Sequence, residues 1–125
     1  MNLETYPFRS NNMDFELANV ALNHINQAVM ITDQRNRILY VNKKFEETTG
    51  YSFEEIRGKT PKALQSGIQE LQFYENLKNS VKRTGRWQGE IWNRTKSGKV
   101  HLQYLSIIAV KDNEDKITNF IGILS

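Results

Sequence analysis

Between Met13 and Asn26 the apolar residues Leu17, Ala21 and Ile25 recur at every fourth position, with Ala18 and Leu22 beside them. That spacing predicts an amphipathic helix over 13–26, and Asp14 and Glu16 near its start suit the positive end of the helix dipole. Residues 1–12 ahead of it are polar and broken by Pro7 and Asn11-Asn12, and they read as a flexible leader. The period then shortens. Ala28-Val29-Met30-Ile31 and Ile38-Leu39-Tyr40-Val41 are short β-type runs joined by Asp33-Gln34-Arg35-Asn36, which are turn-forming residues, so an antiparallel hairpin is expected.

Short helical signals follow. Asn42 can cap a helix that runs to Thr49 and stops at Gly50. Ser52-Phe53-Glu54-Glu55 has the form of a capping box, with Gly58 as its stop. Pro61 opens an irregular stretch to Gly67. Ile68, Leu71, Tyr74, Leu77 and Val81 then step by three or four, the expected buried stripe of a longer helix that ends before Gly85.

The remainder reads as strand. Arg86–Arg94 alternates, with Trp87, Gly89, Ile91 and Asn93 on one face and Gln88, Glu90, Trp92 and Arg94 on the other. Lys96-Ser97-Gly98-Lys99 is a turn. Val100–Val110 then places His101, Gln103, Leu105 and Ile107 on a common face, Asp112-Asn113-Glu114-Asp115 turns the chain again, and Ile117–Leu124 is the last strand. Helix, two strands, several helices and three strands predict an α+β fold: a five-stranded antiparallel sheet with short helices on one face and an N-terminal amphipathic helix. A space between roof and sheet is where a small ligand would fit.

Composition narrows the chemistry. The chain has 125 residues, a single-domain length, and no cysteine, which removes disulfides, thiolate metal sites and cysteine nucleophiles. The net charge is +3, but the cations are scattered rather than gathered on one face, so no nucleic-acid partner is expected. No apolar run is long enough to cross a membrane and the N-terminus does not resemble a signal peptide, so the expected location is cytoplasmic, without direct membrane contact. His24 and His101 stand alone, without the carboxylate or cysteine spacing of a metal site. No nucleophile elbow, phosphate-cradling glycine loop or paired carboxylate is present, and no catalysis is expected. Glu46-Glu47 and Glu54-Glu55 read as helix-surface and capping residues.

The ordered segments "AVMITDQRNRILYVNKKFEETTGYSFEEIRGK" (28–59), "GRWQGEIWNRTKSGKVHLQYLSIIAV" (85–110) and "DKITNFIGILS" (115–125) resemble the PAS domain family. The resemblance implies a PAS domain over 27–125, acting as the sensor module of a larger bacterial signal-transduction protein. "PKALQSG" (61–67), followed by "FYENL" and "GRWQGEIWN", resembles modules placed upstream of cyclic-di-GMP turnover domains, with the histidine kinases of two-component systems as the next nearest hosts. The chain stops at Ser125, where such proteins continue into an output helix.

The same resemblance supplies candidate site residues. In the LOV branch a glycine-led segment carrying a reactive cysteine lines a flavin. Gly58 to Gln65 stands there in this chain, with Pro61 in the cysteine's place, which excludes adduct photochemistry. Lys62 would face a phosphate, and Gln65 is retained. Asn93 and Gln103 match the amides that hold the flavin ring, whereas Leu124 replaces a third. Trp87 is expected to close the pocket. Flavin (FAD or FMN) is therefore one candidate ligand, an unknown small molecule another, and a ligand-free dimerisation module a third; there Asn93 and Gln103 would bond each other. Haem is disfavoured, because 68–84 holds no histidine. The family also implies a homodimer through the N-terminal helix and the outer sheet face carrying Trp92, with a covalently attached output domain.

Overall fold

The computed structural model describes residues 12–125. Of the leader expected over 1–12, all but Asn12 lies outside the described residues. Asn12 opens the first helix, α1 (Asn12–Asn23). That helix ends three residues earlier than its apolar spacing suggests. The Leu22 carbonyl is taken by the Asn42 side chain at 2.9 Å, and the chain bends through 24–27 into the sheet.

The sheet comprises β1 (Ala28–Asp33), β2 (Ile38–Val41), β3 (Arg86–Arg94), β4 (Val100–Lys111) and β5 (Ile117–Leu124). Their order is β2-β1-β5-β4-β3, with every neighbour antiparallel. The last strand therefore sits at the centre, sealed between β1 and β4. A bulge between β1 and β2 lets both Ile38 and Val41 reach the core.

Three hairpin turns use one local device. In Asp33–Arg37, Thr95–Lys99 and Asp112–Lys116 the first residue's N–H donates to the fifth residue's carbonyl at 2.9, 2.8 and 2.9 Å. The first side chain folds back over the turn: Asp33 Oδ1 accepts from the N–H groups of Arg35 and Arg37, and Asp112 Oδ1 from those of Glu114 and Lys116. Thr95 Oγ1 accepts from Lys99 N–H in the same way. The fourth residue is left-handed each time, at φ 64° for Asn36, 93° for Gly98 and 65° for Asp115. Asn, Gly and Asp are the residues that tolerate that conformation.

The roof is α2 (Lys43–Thr49), α3 (Phe53–Ile56), a 3-10 turn (Pro61–Leu64) and α4 (Leu71–Thr84). The caps form as the sequence predicts. Asn42 Oδ1 accepts from Phe45 N–H, Gly50 closes α2 at φ 81°, and Ser52 and Glu55 make a reciprocal capping box. Phe45, Ile56 and Leu64 descend from the roof onto Ala28, Ile91, Leu105 and Leu124 of the sheet. α4 begins later than its expected stripe, because Gly67 is left-handed and Glu70 is the residue before the first turn. Ile68 and Leu71 are consequently exposed, and the buried side starts at Phe73 and Tyr74.

Asn42 ties these layers together. Its Oδ1 also accepts from Val29 N–H at 2.9 Å, while Nδ2 donates to the carbonyls of Leu22 and Gln27, both at 2.9 Å. All of its amide capacity is spent on four segments, and the residue is 1% exposed. Two further polar contacts hold α1: the Tyr40 hydroxyl donates to Asn19 Oδ1, and Lys43 N–H donates to Asn23 Oδ1. Tyr40 pairs with Ile31, which faces away from the roof, so α1 is fastened on the outer side of the sheet. Leu17 and Val20 remain exposed on it, and Ile25 in the bend that follows.

Candidate functional site

β3 and β4 pair with Ile91 opposite Gln103 and Asn93 opposite His101. Asn93 and Gln103 are thus diagonal neighbours on the inner face, a separation that long side chains bridge. Asn93 Nδ2 donates to Gln103 Oε1 at 2.9 Å, and each residue is only 6% exposed. Among the described residues, Asn93 Oδ1 and Gln103 Nε2 make no further hydrogen bond to protein. The pair therefore presents one free acceptor and one free donor to the interior. An unmet polar group in that position costs about 1–3 kcal/mol, so the arrangement favours a polar occupant or water.

Trp87 lies on the same inner face. Its indole is folded over Gly89, where an added Cβ would come within 2.9 Å of Cη2 and Cζ2. The ring meets Phe73 of α4 edge-on, with centroids 5.6 Å apart. Gly89 is what lets the indole lie flat on the strand, where it packs between β3 and α4. Lys62 and Gln65 are placed differently: both side chains are exposed, and Gln65 reaches the site only through a backbone bridge to Asn93. Of the five expected site residues, Asn93 and Gln103 meet, Trp87 shares their face farther along β3, and Lys62 and Gln65 stand at the margin.

Sequence reasoning missed Gln69. Its carboxamide clasps the Trp92 peptide, with Oε1 accepting from Trp92 N–H at 2.6 Å and Nε2 donating to Trp92 C=O at 2.9 Å. Nε2 also donates to the Tyr74 hydroxyl at 3.0 Å, and Ser66 Oγ donates to the same Trp92 carbonyl at 2.8 Å. A contact of side chain to backbone across 23 residues leaves no periodic trace. The Trp92 indole itself is on the outer face, half-exposed with Leu102, Tyr104 and Ile108.

The carboxyls held below their ordinary range are elsewhere: Asp33 by the backbone N–H of Arg37 in its turn, and Glu55 by the side-chain hydrogen bond from Lys96. A depression of about 490 Å³ lined by Thr48, Gly50, Thr95, Lys96, Ser97 and Lys99 is open to solvent and contains none of the expected site residues. Among the described residues, no group of three His, Cys, Asp or Glu side chains could hold a metal ion, and no helix is long and apolar enough to cross a membrane.

An antiparallel five-stranded sheet roofed by short helices defines an α+β class of domain. The family model of the PAS domain matches residues 26–125, and the chain belongs to that family. A nitrogen fixation regulatory protein of Klebsiella oxytoca is 24% identical over 96 residues, covering 77% of this chain and 19% of that protein. Blue-light-activated histidine kinase 2 of Erythrobacter litoralis is 26% identical over 93 residues, covering 74% of this chain and 27% of that protein. The crystal structure of a PAS domain from Colwellia psychrerythraea superimposes with a TM-score of 0.81 at 22% identity, covering 89% of this chain and 94% of that one. The chain thus spans about a fifth to a quarter of the length of these two relatives.

Proposed function

We propose that this chain is the sensing module of a larger bacterial signal-transduction protein, receiving a small ligand on the Asn93–Gln103 amide pair and relaying its presence to an attached output domain. The supporting observation is the pair itself: a free acceptor beside a free donor, both buried, on the inner face that also carries Trp87. Relay to the output passes through a homodimer. α1 turns polar Asn19 and Asn23 inward and leaves Leu17 and Val20 outside, with Ile25 exposed in the bend that follows. Beside it the outer sheet face offers Trp92, Leu102, Tyr104 and Ile108. A second copy would cover both surfaces, and a shared helix gives a ligand two states of subunit geometry to choose between. The output class remains that of cyclic-di-GMP turnover or histidine-kinase hosts, the latter in keeping with the Erythrobacter relative.

Flavin is the favoured ligand to test first. The free donor and acceptor suit the ring edge of FMN or FAD, which carries both kinds of group, and bound flavin would supply a redox-sensitive chromophore. Without a cysteine, the chain would read redox state rather than form an adduct. Lys62 and Gln65 would meet the phosphate side only by turning inward from their exposed positions. The competing reading, a ligand-free dimerisation module, draws on the amides' bond to each other. Titration with FMN and FAD, followed by absorbance and by thermal melting, separates the two. The sensor reading expects saturable stabilisation of about 2.7 kcal/mol at a hundredfold excess over Kd, abolished in Asn93→Ala. Stabilisation that persists in Asn93→Ala would remove the amides from the site.

A further inference from the structure

From Gln65 to Gln72 no side chain is buried, although the residues on either side are anchored, Leu64 in the core and Phe73 against it. Within this stretch Ile68 and Leu71 are 56% and 83% exposed, so no apolar burial holds it down. Gly67 sits at φ 83° with open space around it, and Glu70 makes no side-chain cap for α4. Gln65 is bridged backbone to backbone with Asn93; beyond it, what fastens the segment is polar and converges on a single peptide. Gln69 bonds both the N–H and the C=O of Trp92, and Ser66 Oγ bonds the same C=O. β3 is an edge strand, and the residue after Trp92 is Asn93.

We infer that residues 66–72 form a hinged strap over the β3 edge, latched by Gln69 on Trp92, whose release opens the way to the Asn93–Gln103 pair. This rests on the reading of that pair as the ligand site, and it adds the route in and the residue that controls it. Backbone-to-backbone pairing with this edge stops at the Gln65–Asn93 bridge, which marks the fixed end of the strap. A latch built from one carboxamide and one hydroxyl is instead reversible, because water replaces each of its bonds when the strap lifts. The anchors at Leu64 and Phe73 confine the movement to the span between them. The aromatic pair Phe73 and Trp87 stays in place, so the packing of α4 on β3 is unaffected.

Hydrogen exchange by NMR tests the strap without any ligand. In Gln69→Leu the Trp92 N–H and the carboxamide protons of Asn93 and Gln103 should exchange about tenfold faster, the factor that corresponds to losing roughly 1.4 kcal/mol of hydrogen bonding. Val29 N–H, bonded to Asn42 on the opposite side of the sheet, should be unchanged. Ser66→Ala should give the same selective pattern at smaller size. Equal acceleration at Val29 would show that Gln69 merely stabilises the fold. Acceleration at Trp92 alone would show that the strap does not cover the amides. Either result overturns the inference. With FMN as probe, Gln69→Leu should raise association and dissociation rates together and leave Kd within about twofold. If FMN fails to bind the unaltered protein, the flavin reading falls and the exchange pattern still decides the strap.

Discussion

Replacing Asn42 is the sharpest perturbation of the fold, because one side chain serves four segments. In Asn42→Ala the cap on α2 disappears, Val29 N–H loses its buried acceptor, and the carbonyls of Leu22 and Gln27 lose their donors. Loss of the cap costs about 1 kcal/mol. Stranding the Val29 donor costs about 2 kcal/mol, and the two carbonyls, nearer the surface, recover water and add little. The expected total is about 3 kcal/mol, a large share of the roughly 5–15 kcal/mol that stabilises a domain. Asn42→Ser restores the cap through its hydroxyl but leaves the Val29 N–H without its buried acceptor, so it should lose only about 2 kcal/mol. Equilibrium urea unfolding reads both, with the slope unchanged and the midpoint lowered. A loss below about 1 kcal/mol for Asn42→Ala, or a serine variant no better than alanine, would refute the assignment of Asn42 as the junction.

The turns carry strain that glycine relieves, so Asn36→Gly and Asp115→Gly should each raise stability by up to about 1 kcal/mol, and Gly98→Ala should lower it by a similar amount, all read by thermal melting. Gly89→Ala pushes a methyl to within 2.9 Å of the Trp87 ring and should cost about 1–3 kcal/mol, with red-shifted Trp87 emission measured in a Trp92→Phe background. Glu55 is held down to about 2, chiefly by the Lys96 hydrogen bond, from an ordinary value of 4.5. A depressed carboxyl adds stability above its unfolded value and loses it as pH falls through the folded one. The Glu55 contribution should therefore fade between about 4.5 and 2, and Lys96→Met should return its NMR titration midpoint towards the ordinary range. Leu17→Asp or Leu102→Asp places a charge in the proposed dimer contact and should yield monomers by light scattering. Dimers unchanged by both would remove that interface.

Local chemistry was the most legible part of the sequence. The turns at Asp33, Lys96 and Asp112, the Asn42 and Ser52 caps and the Gly50 and Gly85 stops each depend on residues within a few positions of one another, and each forms where it was expected. The inward set Trp87, Ile91, Asn93, Gln103 and Leu105 also followed from strict alternation, since a strand period of two leaves no other face. Apolar spacing misled at helix ends. Ile68 and Leu71 continue the rhythm of α4 yet fall before or at its first turn, where Gly67 has already redirected the chain. Long-range polar contacts were invisible. Neither the grip of Asn42 on Leu22 and Gln27 nor that of Gln69 on Trp92 has a sequence spacing that would announce it. Lys62 and Gln65 were placed by resemblance alone, and the resemblance fixes a position along the chain, not the direction in which a side chain points.

Native mass spectrometry of the protein purified from a bacterial host bears most directly on the sensing claim, because subunit number and bound mass appear in one spectrum. The account predicts a dimer in which each subunit carries one non-covalent small molecule, and bare subunits for Gln103→Leu. Subunits without added mass in the unaltered protein, or an added mass that Gln103→Leu retains, would contradict it.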